Sequence, residues 1–325
     1  MEKEAMYYKT LPNQKVQCEL CPHYCVILPD DRGLCRGRKN IDGKLYAINY
    51  GKTVSLNSDP VEKKPLYHFL PGSNVISLGP NSCNFSCDFC QNYTISQFDV
   101  PTYEITPQDI VSLCRNNSVE LVAFTYTEPI TWYEFVLEAS RLLKSQTIKT
   151  IMVSNGFINQ EPLKELVKVI DAVNVDFKSI DENFYQSLCK GHVNPVLESI
   201  QTFSEHCHVE ITNLLIPGKN DSDHHIRELA KMIASINRDI PLHFSKYFPH
   251  YKMTTNPTPD ATLYHAKEIA SEYIDYIYLG NILTTNDTHC PNCDKLLIKR
   301  NYRAATTIHE NKCPNCGHYI YGVYA

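Results

Sequence analysis

Seven short apolar runs punctuate the middle of this chain: Val75–Leu78, Leu121–Phe124, Thr150–Val153, Ala172–Val175, Val209–Leu215, Leu242–Phe244 and, as a seventh, Tyr276–Leu279. Amphipathic stretches separate them from about residue 73 to 282, which is the signature of βα units around a parallel sheet. Several helix starts are legible. Thr106-Pro107 sets an N-cap before a proline at the first helical position, with Ile110, Leu113 and Cys114 as the buried stripe. Thr131 and Glu134 read as a capping box ahead of Phe135, Ala139 and Leu142. Ser222 precedes Ile226, Leu229, Ala230, Ile233 and Ile236 at helical spacing. Six or seven such units predict an α/β fold built as a partial or complete barrel, with an open sheet as the alternative. Either architecture puts chemistry at the C-terminal ends of the strands.

The flanks have a different texture. Residues 1–70 are rich in Pro, Gly, Lys and Cys and read as a small metal-binding module with short strands such as Lys44–Ile48. Residues 71–284 hold the barrel pattern, and residues 285–325 return to Cys, Pro, Asn and Gly. With 43% hydrophobic and 21% charged residues, the chain can bury a sizeable core. Its 31 basic and 36 acidic residues give no reason to expect nucleic acid as a partner. No run reaches the roughly 18 apolar residues of a membrane span. The N-terminus MEKEAMYYKTLPNQK has no apolar export signal, so a cytoplasmic setting is expected.

Cysteine is over-used, with 14 in all, and in a reducing compartment metal or cluster ligation is the better reading of so many thiols. Eleven fall into three groups, leaving Cys114, Cys189 and Cys207 as packing residues in helical stretches. The central group, Cys83-Asn-Phe-Ser-Cys87-Asp-Phe-Cys90, follows the first apolar run. Three thiolates on one short loop suit three irons of a [4Fe–4S] cubane and leave the fourth iron open. The C-terminal group, Cys290-Pro-Asn-Cys293 and Cys313-Pro-Asn-Cys316, has zinc-ribbon spacing and predicts a structural Zn²⁺, with a rubredoxin-like iron as the rival. Cys18, Cys21, Cys25 and Cys35, with His23 among them, suit zinc or an auxiliary [4Fe–4S] cluster, a choice that spacing does not make.

CxxxCxxC with an aromatic residue, Phe89, before the last cysteine resembles the radical SAM superfamily. The chain as a whole resembles the radical SAM enzyme of the AmmeMemoRadiSam system, a family related to pyruvate formate-lyase activating enzymes. The segments that carry this are Cys18-Glu-Leu-Cys21-Pro-His, Asp59-Pro-Val-Glu-Lys-Lys-Pro-Leu-Tyr-His-Phe69, Cys90-Gln-Asn92, Ala123-Phe-Thr-Tyr-Thr-Glu-Pro129, Val175-Asp-Phe-Lys178, Ile216-Pro-Gly218, Tyr278-Leu-Gly-Asn281 and the terminal cysteines. The resemblance implies a (β/α)6-type radical SAM barrel with an open iron that chelates S-adenosyl-L-methionine (SAM). It further implies an electron donor such as flavodoxin or ferredoxin, AmmeMemo partner proteins, and an unidentified small-molecule or protein substrate.

The same resemblance implies SAM contacts. Glu128, in Tyr126-Thr127-Glu128-Pro129, matches the glutamate of the superfamily's Gly-Gly-Glu segment, although Tyr126 and Thr127 replace its glycines. Asn155 lies in Ser154-Asn155-Gly156, where the activating enzymes carry Thr-Asn-Gly; it is also an ordinary turn dipeptide. Asp176 and Lys178 match an Asp-x-Lys and, two apart on a strand, point to one side, where they also satisfy each other as a structural pair. His243 faces away from Leu242 and Phe244 and reads either as a SAM contact or as a core histidine. Asn213 and Ser245 are substrate-side candidates, and Tyr24, Tyr67 and His68 are candidates for a lid. Competing readings are activation of a glycyl-radical enzyme, a non-enzymatic metal-binding adaptor, and a zinc hydrolase; the last lacks any HExxH-like motif.

Overall fold

The computed structural model describes residues 2–301 and 303–324. Seven strands, Asn74–Gly79, Leu121–Phe124, Lys149–Ser154, Ala172–Asp176, His208–Leu215, Leu242–Lys246 and Ile277–Gly280, lie side by side in chain order, all parallel. Six helices, Pro107–Asn117, Tyr133–Ser145, Gln160–Leu166, Val193–Ser204, Asp223–Asn237 and Asp260–Ala270, make the crossovers. Consecutive right-handed crossovers put every helix on the same face, so the other face curls into a lumen. An eighth strand, Ser55–Pro60, pairs antiparallel with Asn74–Gly79, and the sheet stays open between it and Ile277–Gly280. The partial barrel expected from the apolar runs is therefore present. The edge strand was not expected, because its sequence SLNSDP is polar and mostly exposed. No helix among the described residues is long and apolar enough to cross a membrane.

The helix starts at Thr106 and Ser222 form as read, the first as a reciprocal capping box with Asp109 and the second by accepting from the His225 amide at 3.2 Å. The capping box expected of Thr131 and Glu134 does not form. The helix begins at Tyr133, one residue later than that cap would set it, after a 3₁₀ turn over Pro129–Trp132. Thr131 donates to the Glu128 carbonyl at 2.7 Å, while Glu134 takes a buried ion pair with Arg38 at 2.6 Å and the Met6 amide at 2.7 Å. A tertiary partner has outcompeted the local cap. That pair and Trp132, stacked on Phe135 and donating to the Asn49 carbonyl at 2.7 Å, attach the N-terminal strands to the barrel's outer side.

The lower lumen is filled rather than empty. The segment from Val61 to Phe69 enters it, burying Val61, Leu66 and Phe69 against Val75, Leu121, Ala123, Ile151 and Ala172. Tyr67 and His68 thus belong to this plug and not to a lid, and Tyr24 is exposed on the N-terminal module. Glu210, fully buried, accepts from the His68 amide at 2.7 Å, His208 Nε2 at 3.0 Å and His243 Nε2 at 2.6 Å. His68 also donates from Nδ1 to the Tyr321 carbonyl (2.7 Å), and its Nε2 accepts from the Tyr278 hydroxyl (2.6 Å), which ties the C-terminal tail into the same network.

This arrangement has a pH consequence. Burial pushes His68 down to about 3, more than the Glu210 charge raises it. Between that value and the roughly 6.5 of a free histidine, the unfolded chain binds more protons, so stability falls as pH drops through the window. The contribution is on the order of 2 kcal/mol between pH 7 and pH 5. His68→Gln, whose amide can meet both partners, should flatten the acid limb of denaturant-melt stability by that amount; parallel limbs for the two proteins would refute it.

Candidate functional site

The loop after Asn74–Gly79 is clamped from several sides. Gly79 has no room for a side chain, because a Cβ there would lie 2.0 Å from the Thr125 carbonyl oxygen. The Ser86 and Asp88 amides donate to the carbonyls of Cys189 (3.1 Å) and Leu188 (2.9 Å), docking the loop on the π-helical turn Tyr185–Cys189. Asn84 Nδ2 holds the Phe157 carbonyl at 2.8 Å, and Phe85 packs onto Gly191, where a Cβ would come within 2.3 Å of the ring. So held, Cys83, Cys87 and Cys90 line one cavity of about 340 Å³ at the C-terminal strand ends, within the range of small-molecule sites. Phe89, Glu128, Asn155, Asp176, Lys178 and Ser245 line the same cavity.

His243 does not line it. On its strand it faces the lumen as expected, two residues below Ser245, and is held there by Glu210 and by ring contacts with Tyr67 and Tyr278. Asn213 also turns away from the cavity. Its neighbours Thr212 and Leu214 face in, and by strand alternation its amide points outward to the Phe177 carbonyl at 2.8 Å.

Glu128 is buried, and its carboxylate is occupied by the chain's own donors: Ile130 N at 3.1 Å, Ser154 Oγ at 2.7 Å and Asn155 N at 2.7 Å. Burial raises its pKa to about 7 despite these bonds. Asn155 in turn donates to Asn84 Oδ1 at 2.8 Å and so connects this corner to the cysteine loop. Lys178 forms an ion pair with Asp176; burial works against its charge, but Asp176 and then Cys87 more than compensate, so it stays protonated. A hydrogen bond with Cys189, aided by the charge of Lys178, holds Cys87 below the usual thiol range against its own burial. Cys189 is buried as expected, but it is also a neighbour of the triplet, which its place in the sequence does not reveal.

Two polar atoms in the wall lack partners: Asp176 Oδ1 and Thr212 Oγ1, on residues paired across adjacent strands. Thr212, Asn92, Lys64 and Asn281 were not singled out from the sequence. Asn92, Lys64 and Asn281 lie inside the segments that carry the family resemblance, and Thr212 stands two residues from both Glu210 and Leu214, which puts the three on one face of their strand. Tyr126, where the superfamily carries glycine, takes φ 74°, a left-handed conformation normally left to glycine.

The outer cysteines gather into two further sites. In the tail the Sγ atoms of Cys290 and Cys316 lie 3.6 Å apart and those of Cys293 and Cys313 lie 3.7 Å apart, with all four within 4.8 Å of one another. Four thiolates at Zn–S distances of about 2.3 Å in a tetrahedron stand about 3.8 Å apart. Asp294 and Gly317, each following the second cysteine of its knuckle, both take positive φ. Cys18, Cys21, Cys25 and Cys35 surround a separate pocket with Leu20, Ile27 and Arg38.

Residues 79–233 match the radical SAM superfamily model. An uncharacterized protein of Methanocaldococcus jannaschii is 40% identical, with 98% of each chain covered. The pyruvate formate-lyase 1-activating enzyme of Escherichia coli K12 is 26% identical over 45% of this chain and 65% of its own length. Among solved structures, a radical SAM methyltransferase from Sphaerobacter thermophilus superposes with a TM-score of 0.53 at 14% identity, covering 65% of this chain and 67% of that one, and shares the fold. The chain belongs to the radical SAM superfamily. It is an enzyme of that class, for which SAM, an iron–sulfur cluster and a reductant are implied.

The bonding of Glu128 sets a test of its role in the fold. Glu128→Ala leaves buried donors without an acceptor, at about 1–3 kcal/mol for each one unmet. Denaturant melts should show a loss of about 3 kcal/mol or more, against under about 1 kcal/mol for Ser245→Ala in the same cavity. Equal losses would mean that Glu128 does not hold the Ser154–Gly156 turn.

Proposed function

We propose that Cys83, Cys87 and Cys90 ligate a [4Fe–4S] cluster and that the adjoining walls hold SAM, so that the enzyme cleaves SAM reductively and abstracts hydrogen from a substrate. The observation that carries this reading is the convergence of three thiols, paired and unpaired polar groups, and apolar walls on one cavity. When bound, the cluster supplies an open iron for the methionine end of SAM and the electron that breaks the sulfonium bond.

The chain's own residues do the positioning. Glu128, raised to about 7 by burial, offers a carboxylate to an ammonium above that pH, and it fixes Asn155 beside Cys83. Asp176 Oδ1 and Thr212 Oγ1 offer an unmet acceptor and donor side by side, a match for ribose hydroxyls. Lys178, pinned between Asp176 and Cys87 in charge, offers a cation to a carboxylate. Phe85, Phe89, Val153 and Leu214 keep water from the reacting centre. The family segments quoted above support membership of an AmmeMemoRadiSam-type system, and kinship with activating enzymes supports hydrogen abstraction from either a protein or a small molecule.

Anaerobically reconstituted protein, reduced with dithionite, should yield 5′-deoxyadenosine and methionine from SAM on chromatography. The Cys83→Ala/Cys87→Ala/Cys90→Ala protein should yield neither. Asp176→Asn should weaken SAM binding about tenfold, the worth of turning one charge-assisted hydrogen bond into a neutral one. Cluster-replete protein that makes no 5′-deoxyadenosine, with candidate partner proteins added, would leave the metal-adaptor reading.

We also propose that Cys290, Cys293, Cys313 and Cys316 close around a structural Zn²⁺, the support being sulfur separations that already match a tetrahedral thiolate set. Asn315 Nδ2, 3.4 Å from Cys293 Sγ, would donate to a thiolate there. Exchanging Cys290 and Cys313 for Ala should remove about one zinc per chain and expose residues 287–324 to proteolysis. Unchanged zinc content would exclude the assignment.

A further inference from the structure

We propose that the N-terminal cysteines Cys18, Cys21, Cys25 and Cys35 hold a second [4Fe–4S] cluster, not zinc, and that it passes electrons to the triplet site through His23 and Asn84. The first half stands independently of the triplet assignment; the second half rests on it.

The contrast between the two four-cysteine sites of one chain carries the choice of metal. In the tail, the thiols already stand at the spacing of a tetrahedral zinc set. Among the described residues that tetrad is the only His, Cys, Asp or Glu group of three or more whose ligand atoms lie within 4.8 Å of one another, so no three of the N-terminal thiols approach so closely. Instead, the four N-terminal cysteines stand around a pocket whose remaining wall includes Leu20 and Ile27, both 2% exposed. A cubane sets its own irons and sulfides between the thiolates and needs them well beyond the tetrahedral zinc spacing. Four thiolates around such a core leave a net negative site. The buried Arg38 guanidinium is in that wall, held by Glu134 at 2.6 Å.

Position gives the second half. His23 lies between Cys21 and Cys25 in sequence, and its Nε2 is 2.7 Å from the Asn84 carbonyl oxygen, to which it donates. Asn84 lines the N-terminal pocket and is covalently joined to Cys83 of the triplet. One hydrogen bond and one residue thus separate the two cysteine loops. The transfer moves a single electron and no atoms. A low-potential one-electron donor reduces the N-terminal cluster, which returns to its oxidised level as the triplet cluster is reduced.

The test is iron, sulfide and zinc analysis of full-length protein reconstituted anaerobically with ferrous iron and sulfide. Wild type should hold about eight irons and eight sulfides, and the Cys83→Ala/Cys87→Ala/Cys90→Ala protein should keep about four of each. That triplet variant leaves the N-terminal ligands intact, so it stays informative even where Cys21→Ala/Cys25→Ala fails to fold. After dithionite, the triplet variant should show a reduced-cluster EPR signal. Zinc in place of iron at the N-terminal site, or a triplet variant with no iron, would overturn the assignment. Reduced wild type should show EPR lines broadened by spin–spin coupling, absent in the triplet variant. A wild-type spectrum equal to the sum of uncoupled signals would overturn the electron route.

Discussion

Glu210 carries its charge at zero exposure in the middle of the lumen, and much of the architecture follows from the need to surround it with donors. Burial alone would push this carboxyl up. The hydrogen bonds from His208 and His243 outweigh that and hold it far below the usual carboxylate range. Its partners come from three segments: the plug through the His68 amide, its own strand through His208, and the next strand through His243. Through the His68 ring the tail joins as well. An open barrel lacks the closing strand pair that would fix its curvature. Here a charged core below and a docked tail beside it serve that purpose.

The upper lumen has the opposite design. Two residues above each of Asn174, Glu210 and His243 stand Asp176, Thr212 and Ser245, and these line a cavity. Below, the carboxylate and its histidines are matched to one another; above, Asp176 Oδ1 and Thr212 Oγ1 are unmatched. Buried polar atoms without partners cost stability, so two of them on paired residues that face an open cavity mark where binding energy is available to a ligand. The boundary between the filled and open layers explains why His243, on a strand that contributes Ser245 to the cavity, is part of the core.

What the sequence disclosed and withheld follows one physical line. The seven parallel strands were readable because buried parallel strands must be continuous apolar runs. The three cysteine groups were readable because ligand spacing is local, and Cys83, Cys87, Cys90, Glu128, Asn155, Asp176 and Lys178 do share a cavity. The edge strand Ser55–Pro60 was not readable, since a solvent-facing antiparallel edge needs no apolar pattern. Asn213 and Thr212 differ by one position, and a single-residue uncertainty in strand phase exchanges wall and cavity. Glu134 looked like a helix cap because its buried partner, Arg38, is 96 residues away. Tyr67 and His68 looked like lid residues for the same reason, as only tertiary structure threads their segment into the lumen.

Tyr126 shows how a departure from a family pattern can preserve the backbone that the pattern encodes. Glycine suits that position because φ near 74° is strained for any residue with a Cβ, by roughly 1–2 kcal/mol. Tyrosine keeps the conformation, and its side chain gains contacts that glycine could not make. Its hydroxyl accepts from Asn57 Nδ2 at 2.8 Å, and the Lys64 ammonium lies 5.0 Å from the ring centroid. Asn92, two residues beyond Cys90, donates to the Tyr126 carbonyl at 2.9 Å. A cation–π contact with the buried Lys64 and the side-chain hydrogen bond from Asn57, at about 0.5–1.5 kcal/mol each, are enough to offset the strain. With the Asn92 bond to the backbone carbonyl, they join the edge strand, the plug and the cysteine loop at a single residue on the cavity wall. The substitution thus exchanges the close backbone approach of a glycine for a fixed aromatic wall.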